Sequence, residues 1–217
     1  VVSSDFEGKS VADVKTKYLG KMRGTGLLHK NNLLYALGNN NYDTAPNAKH
    51  HSVLQIINAE TNTLVRSFEK ISASDTLFND ITLDERGIAY ITNTRENTIY
   101  ALNTLKQNSK FEVLFKSDEI PNPNGISISD SNDKLFIATQ KGIKIFDLKS
   151  KTLLRYEDVS TVGIDGLKFN KGKLYGLQNG QLILYQLNEK MDAIISKEVM
   201  LNRHYTFDAP TSLCIID

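Results

Sequence analysis

Asn124-Gly125-Ile126-Ser127-Ile128-Ser129-Asp130-Ser131-Asn132-Asp133-Lys134-Leu135-Phe136-Ile137-Ala138-Thr139-Gln140-Lys141-Gly142-Ile143-Lys144-Ile145-Phe146-Asp147-Leu148 holds, in 25 residues, the strand-and-turn pattern on which the architecture is built. Ile126 to Ser129 alternates apolar with polar residues, the period of a strand. Asp130 to Asp133 follows as a turn, because Asp and Asn tolerate left-handed backbone and bond their own main chain. Leu135 to Thr139 is a short apolar run, Gln140 to Gly142 breaks it, and Ile143 to Phe146 alternates again. Three short strands joined by tight turns are therefore expected here.

The same order recurs along the chain. Thr25-Gly26-Leu27-Leu28, Asn79-Asp80-Ile81-Thr82-Leu83, Asn124-Gly125-Ile126-Ser127-Ile128 and Asp165-Gly166-Leu167-Lys168-Phe169 open four units, and Thr211-Ser212-Leu213 opens a fifth. The openings at positions 25, 79, 124, 165 and 211 are 54, 45, 41 and 46 residues apart. Second runs follow at 33–37, 88–92, 135–139 and 174–177, and third runs at 52–57, 98–102, 142–148 and 181–187. Weaker fourth runs lie at 63–68, 111–115, 153–157 and 194–200. Four strands in about 40 to 50 residues is the signature of a β-propeller blade. The long first spacing is explained by an Asn-, Gly- and Pro-bearing insertion over 38–51, which reads as a loop. The expectation is all-β: four-stranded antiparallel blades, about four and a half of them, in one domain over 1–217. A ring of blades closes on itself, so a piece of a longer protein, incomplete at both ends, is expected. Helix-like spacing is confined to Val11, Val14 and Tyr18, which make one turn or none.

Composition narrows the function. The chain has 217 residues, with 26 Lys and Arg against 25 Asp and Glu, a net charge of +1. No field of one sign exists to hold a polyanion, so neither nucleic acid nor a membrane surface is an expected partner. Cys214 is the single cysteine, which excludes an internal disulfide and a cysteine-built metal site. No apolar run reaches the roughly 20 residues of a membrane helix. Val1 is not an initiator Met, so a processed or cut chain is expected, with secreted or periplasmic placement ahead of cytoplasmic. Oligomeric state is not legible.

The openings Phe78-Asn79-Asp80-Ile81, Pro123-Asn124-Gly125-Ile126 and Ile164-Asp165-Gly166-Leu167 resemble those of the gluconolactonase and senescence-marker-protein propellers. Paraoxonases and strictosidine synthase-like proteins are more distant relatives of the same layout. Ala89 to Leu102 resembles the bacterial branch, and the resemblance covers four repeats from about Gly24 onward. It implies a six-bladed propeller with calcium or another divalent cation in its central channel, hydrolysing a small lactone or ester. It also implies that Asn124 and Asp165 are metal ligands, that Asn79 is a ligand or a substrate-contacting amide, and that Asp165 assists proton transfer. Residues just before first strands sit at a channel mouth, so Thr25, Asn79, Asn124, Asp165 and Thr211 are expected to converge. Oxygens converging from separate blades suit a hard cation. Asn, Asp and Gly also open strands simply because they turn well, and that reading stands beside the first. The family's metal-binding Glu, in a Pro-Glu-Gly motif, has no match: Glu7 lies 18 residues before Thr25, and Phe6 stands where Pro belongs. Val1 to Ser4 reads as a second strand, Glu7 as a turn, and the true Glu as preceding Val1. Asp165 is then the one charge the openings supply, and a weak or absent cation is expected. A non-catalytic propeller binding a small ligand or a protein is the competing reading.

Other motifs carry less. His29 reads as solvated in a turn; His50, His51 and His204 stand near loops that could face a channel. No Gly-x-Ser-x-Gly elbow, His-Glu-x-x-His or Walker loop occurs. Gly24-Thr25-Gly26 lacks the third glycine and following helix of a dinucleotide fingerprint. Asp130, Asn132 and Asp133 lack the glycine and distal Glu of a calcium loop and read as a hairpin turn. Lys141, Lys144, Lys149, Lys151 and Arg155 read as a solvated basic face, and Cys214 as inert core.

Overall fold

A computed structural model describes residues 3–4, 10–11, 22–40, 49–73, 75–154, 161–202 and 211–213. Strands β1 (Ser3–Ser4) and β2 (Ser10–Val11) form a two-stranded antiparallel pair. Four four-stranded antiparallel sheets follow, each a meander of consecutive strands. The first holds β3 (Arg23–Lys30), β4 (Leu33–Asn39), β5 (His50–Asn58) and β6 (Thr63–Ser72). The second holds β7 (Phe78–Leu83), β8 (Ile88–Asn93), β9 (Thr98–Asn103) and β10 (Glu112–Lys116). The third holds β11 (Ile126–Ile128), β12 (Lys134–Thr139), β13 (Gly142–Asp147) and β14 (Thr152–Leu153). The fourth holds β15 (Ile164–Asn170), β16 (Lys173–Gln178), β17 (Gln181–Leu187) and β18 (Ile194–Asn202). A 3-10 turn over Thr94–Glu96 joins β8 to β9. Among the described residues no helix is long and apolar enough to cross a membrane.

The hairpins form where turn chemistry allows. Asn31 and Asn32 both take positive φ (50° and 60°), as do Lys171 and Gly172 (50° and 76°). These are two-residue turns whose twist matches the flanking strands. At Asp130 to Asp133, Asn132 takes φ 56° and the Asp133 carboxylate accepts from the hydroxyls of Ser129 and Ser131. It is a turn, as its residues require. His29 is exposed but lies inside β3, paired with Leu34, so the turn begins two residues later than its sequence suggests. Val14, Tyr18, Glu7, Arg155, His204 and Cys214 lie outside the described residues.

Three apolar seams join the four sheets. Leu37, Leu54 and Phe68 of the first sheet meet Phe78, Ile81 and Ile91 of the second. Tyr90 and Ile99 of the second meet Ile126, Ile137 and Phe146 of the third. Phe136, Ile143 and Ile145 of the third meet Leu167, Leu174 and Tyr185 of the fourth. Strand β12 thus sends Leu135 and Ile137 to one seam and Phe136 and Ala138 to the other. That is why Leu135 to Ala138 is apolar without alternation: sheets stacked between two neighbours have no wet face. The same packing corrects the reading of Lys144 as solvated. It pairs with Ile137 on the central strand β13 and is 7% exposed. Among the described residues, outer strands such as β18, with Ile195, Val199 and Met200 exposed, show solvent a broad face.

First strands β3, β7, β11 and β15 lie side by side, each at the edge of its own sheet. The outward main-chain groups of β7, β11 and β15 face a neighbouring sheet and need partners. Side chains of the preceding sheet supply them. The amide of Asn39, 0% exposed, donates to Phe78 O (2.9 Å) and accepts from Phe78 N (2.9 Å), copying a strand pair. Asp80 accepts from Ile126 N (3.0 Å), Thr92 donates to Asn124 O (2.7 Å), and Ser127 accepts from Phe169 N (2.8 Å). Asn39→Ala would strand the Phe78 amide in a dry seam. Urea unfolding is expected to show a loss of about 2 to 3 kcal/mol.

Candidate functional site

Three of the opening pairs interrupt their strand ladders. The register shifts between Gly24 and Leu27, between Phe78 and Ile81, and between Ile164 and Leu167. Thr25-Gly26, Asn79-Asp80 and Asp165-Gly166 therefore sit in β-bulges, which re-aim side chains away from the sheet normal. Asn124-Gly125 precedes β11 and reaches the same geometry through Asn124 N to Ala138 O (2.9 Å) and Ala138 N to Gly125 O (2.8 Å). The glycines let neighbouring first strands touch. A Cβ on Gly26 would stand 2.6 Å from Asn79 O, and one on Gly125 would stand 2.8 Å from Leu167 N. Both obstacles are backbone, so neither could swing aside.

Thr25, Asn79, Asn124, Asp165 and Thr211 all line one cavity of about 260 Å³. Asn124 and Asp165 touch: Nδ2 of the amide donates to Oδ1 of the carboxylate at 2.6 Å. Asn79 Nδ2 instead donates to Thr94 Oγ1 (2.9 Å), whose hydroxyl donates to Pro123 O (2.8 Å). Thr25 Oγ1 is spent on Phe78 O (2.6 Å). Among the described residues, no hydrogen bond engages Asn79 Oδ1, Asn124 Oδ1 or Asp165 Oδ2.

Asp80 was not anticipated, and it corrects the expectation of a single charge. It lines the same cavity and is 7% exposed. Its Oδ1 accepts from Ile81 N (2.8 Å), its Oδ2 accepts from Ile126 N (3.0 Å), and Lys168 Nζ stands 3.7 Å from Oδ2. A signal was present in the sequence: Asp80 occupies the column that Gly26, Gly125 and Gly166 fill in the other units. Each of its oxygens already accepts a backbone N–H, whereas Asp165 Oδ2 accepts none among the described residues.

Burial raises the Asp165 carboxyl above the ordinary carboxylate value; the Asn124 hydrogen bond opposes this, and the Asp80 charge adds to it. No group of three or more His, Cys, Asp or Glu side chains able to hold a metal occurs among the described residues. The donors here are instead one free carboxylate and two amides. In kind they fit a hard cation, being all oxygen; in charge they are sparse. His50 and His51 open β5 beside β6 and do not line this cavity.

The raised carboxyl has a consequence for stability. A group whose folded pKa lies above its unfolded value stabilises fully below the unfolded value and loses that contribution as pH rises. Metal-free Asp165→Asn is therefore expected to unfold at higher temperature than the parent at pH 7. The gap should close on acidification toward the ordinary carboxylate value, as followed by thermal unfolding at several pH values.

No family model and no curated protein matches the chain. Solved structures match it by fold. The crystal structure of the computationally designed Ika4 protein is 13% identical, with TM-score 0.53 over 77% of this chain and 93% of that one. A chain of the Mitotic Checkpoint Complex is 11% identical, with TM-score 0.62 over 89% of this chain and 57% of that one. A functionally unknown protein from Desulfotomaculum acetoxidans DSM 771 is 11% identical, with TM-score 0.57 over 80% and 55%. This chain spans little more than half the length of the last two. At such identities the likeness is one of fold alone: an all-β chain of four-stranded antiparallel, blade-like sheets.

Proposed function

We propose that these sheets are blades of a β-propeller, and that the cavity at their first strands is the site of a calcium-dependent lactonase acting on a small lactone or ester. The observation that supports this reading is the meeting of equivalent opening positions from successive sheets at one cavity, with Asn79, Asn124 and Asp165 among them. Asp165 Oδ2, Asn124 Oδ1 and Asn79 Oδ1 would hold the cation, with water completing the shell. Bound calcium would polarise the substrate carbonyl and offset the negative charge that develops on its oxygen. Asp165, beside the cation, would also assist transfer of the proton lost by the attacking water. Asn79 is held by Thr94 and would orient the substrate. Lys168 offsets the charge of Asp80, which limits the repulsion that two carboxylates would otherwise impose on a lactone's lone pairs.

The rival reading, a non-catalytic ligand-binding propeller, draws support from the sparse charge and from the Asn124 amide spent on Asp165. Calorimetry and hydrolysis separate the two. Calcium should bind the parent, less well Asn124→Ala, and least well Asp165→Asn, because charge dominates attraction to a hard divalent ion. Gluconolactone hydrolysis should fall on chelation, return with calcium, and drop at least about a hundredfold in Asp165→Asn. Calcium affinity unchanged in Asp165→Asn would leave the turn-residue reading of these positions, and calcium binding without hydrolysis would leave the binder.

A further inference from the structure

A second hollow of about 610 Å³ adjoins the first and shares Asn124 and Asp165 with it. Its walls differ from those of the inner cavity. Leu77, Val162 and Ile164 supply apolar surface, Asn122 and Gln140 supply side-chain amides, and Arg95 is the one cationic side chain among the described lining residues. No hydrogen bond among the described residues engages the amides of Asn122 and Gln140, which leaves both free to donate to and accept from hydroxyls. Arg95 stands on the 3-10 turn Thr94–Glu96, immediately after the Thr94 that holds Asn79. Its side chain is 52% exposed and donates through Nη1 to Asp75 Oδ2 (2.7 Å). That bond fixes the guanidinium and uses one of its five N–H groups, so a face suited to a second carboxylate stays open.

Asp165 lines both hollows, whereas Asp80 lines only the inner one and Arg95 only the outer one. A neutral lactone gains nothing from that division, whereas a ligand with an anionic end does. Its charge is drawn to the guanidinium, which turns the opposite end toward Asp165 and Asn124.

We infer that the ligand is a hydroxylated ring bearing a carboxylate, and that Arg95 reads the carboxylate while Asn122 and Gln140 read the hydroxyls. For a hydrolase this makes the substrate an acidic sugar lactone, an inference that rests on the lactonase reading for the reaction but not for the binding. The test uses D-glucuronate and D-glucose, stable six-membered rings that differ in a carboxylate against a CH2OH. Neither contains a lactone to hydrolyse. Calorimetric titration of the parent chain in calcium-containing buffer should favour glucuronate by about tenfold or more, the usual worth of a charge-assisted hydrogen bond. In Arg95→Gln the preference should collapse to about one, with glucose binding unchanged; Arg95→Lys, which keeps the charge and loses the fork, should retain part of it.

A parent with no preference, a preference that survives in Arg95→Gln, or loss of both sugars together in that variant would overturn the inference. Preference without any lactone hydrolysis would keep the anion site and remove the hydrolase. Hydrolysis without preference would keep the hydrolase and remove the anion site.

Discussion

Everything in this architecture depends on how a buried edge strand satisfies its backbone. A sheet that ends against water can leave N–H and C=O groups to solvent, but β7, β11 and β15 end against another sheet. Each unpaired group in such a seam costs roughly 1 to 3 kcal/mol. Asn39, Asp80, Thr92 and Ser127 meet that demand from the preceding sheet, and all four are buried. They are polar residues placed in otherwise apolar seams, and their positions decide how closely the first strands approach.

Close approach is also what creates the candidate site. Bulges at the opening pairs turn one side chain of each into the gap, and glycine or Asp80 follows where the next strand passes. Asp80 shows how nearly structure and chemistry coincide here. Its carboxylate substitutes for a strand partner at Ile126 and at the same time contributes negative potential to the cavity that Asp165 lines. Burial is the main cause of the raised Asp165 carboxyl, and the charge of Asp80 adds to it.

The repeat was legible because strand length, turn chemistry and spacing all vary together. Asn31-Asn32, Asp130 to Asp133 and Lys171-Gly172 mark turns in the sequence and form them in the structure. The column of openings was legible for the same reason, since Thr25, Asn79, Asn124, Asp165 and Thr211 share one place in the repeat and one cavity. What stayed hidden was burial on both faces. Lys144 reads as exposed if a strand has a wet side, and β13 has none. The roles of Asn39 and Asp80 stayed hidden for a related reason: each bonds the backbone of a sheet some 40 residues away, and no local pattern encodes that distance.

The supply of partners to the first strands also has a direction. At all three seams a side chain from the earlier sheet bonds the main chain of the later one. The two participants are not equally replaceable. A side chain deprived of its target can rotate toward water, whereas a peptide group in a bulged strand is fixed by its neighbours on either side. A sheet is therefore more dependent on its predecessor than on its successor. Local opening of one sheet would weaken those that follow it in the chain sooner than those before it, which gives the row of sheets a sense of travel.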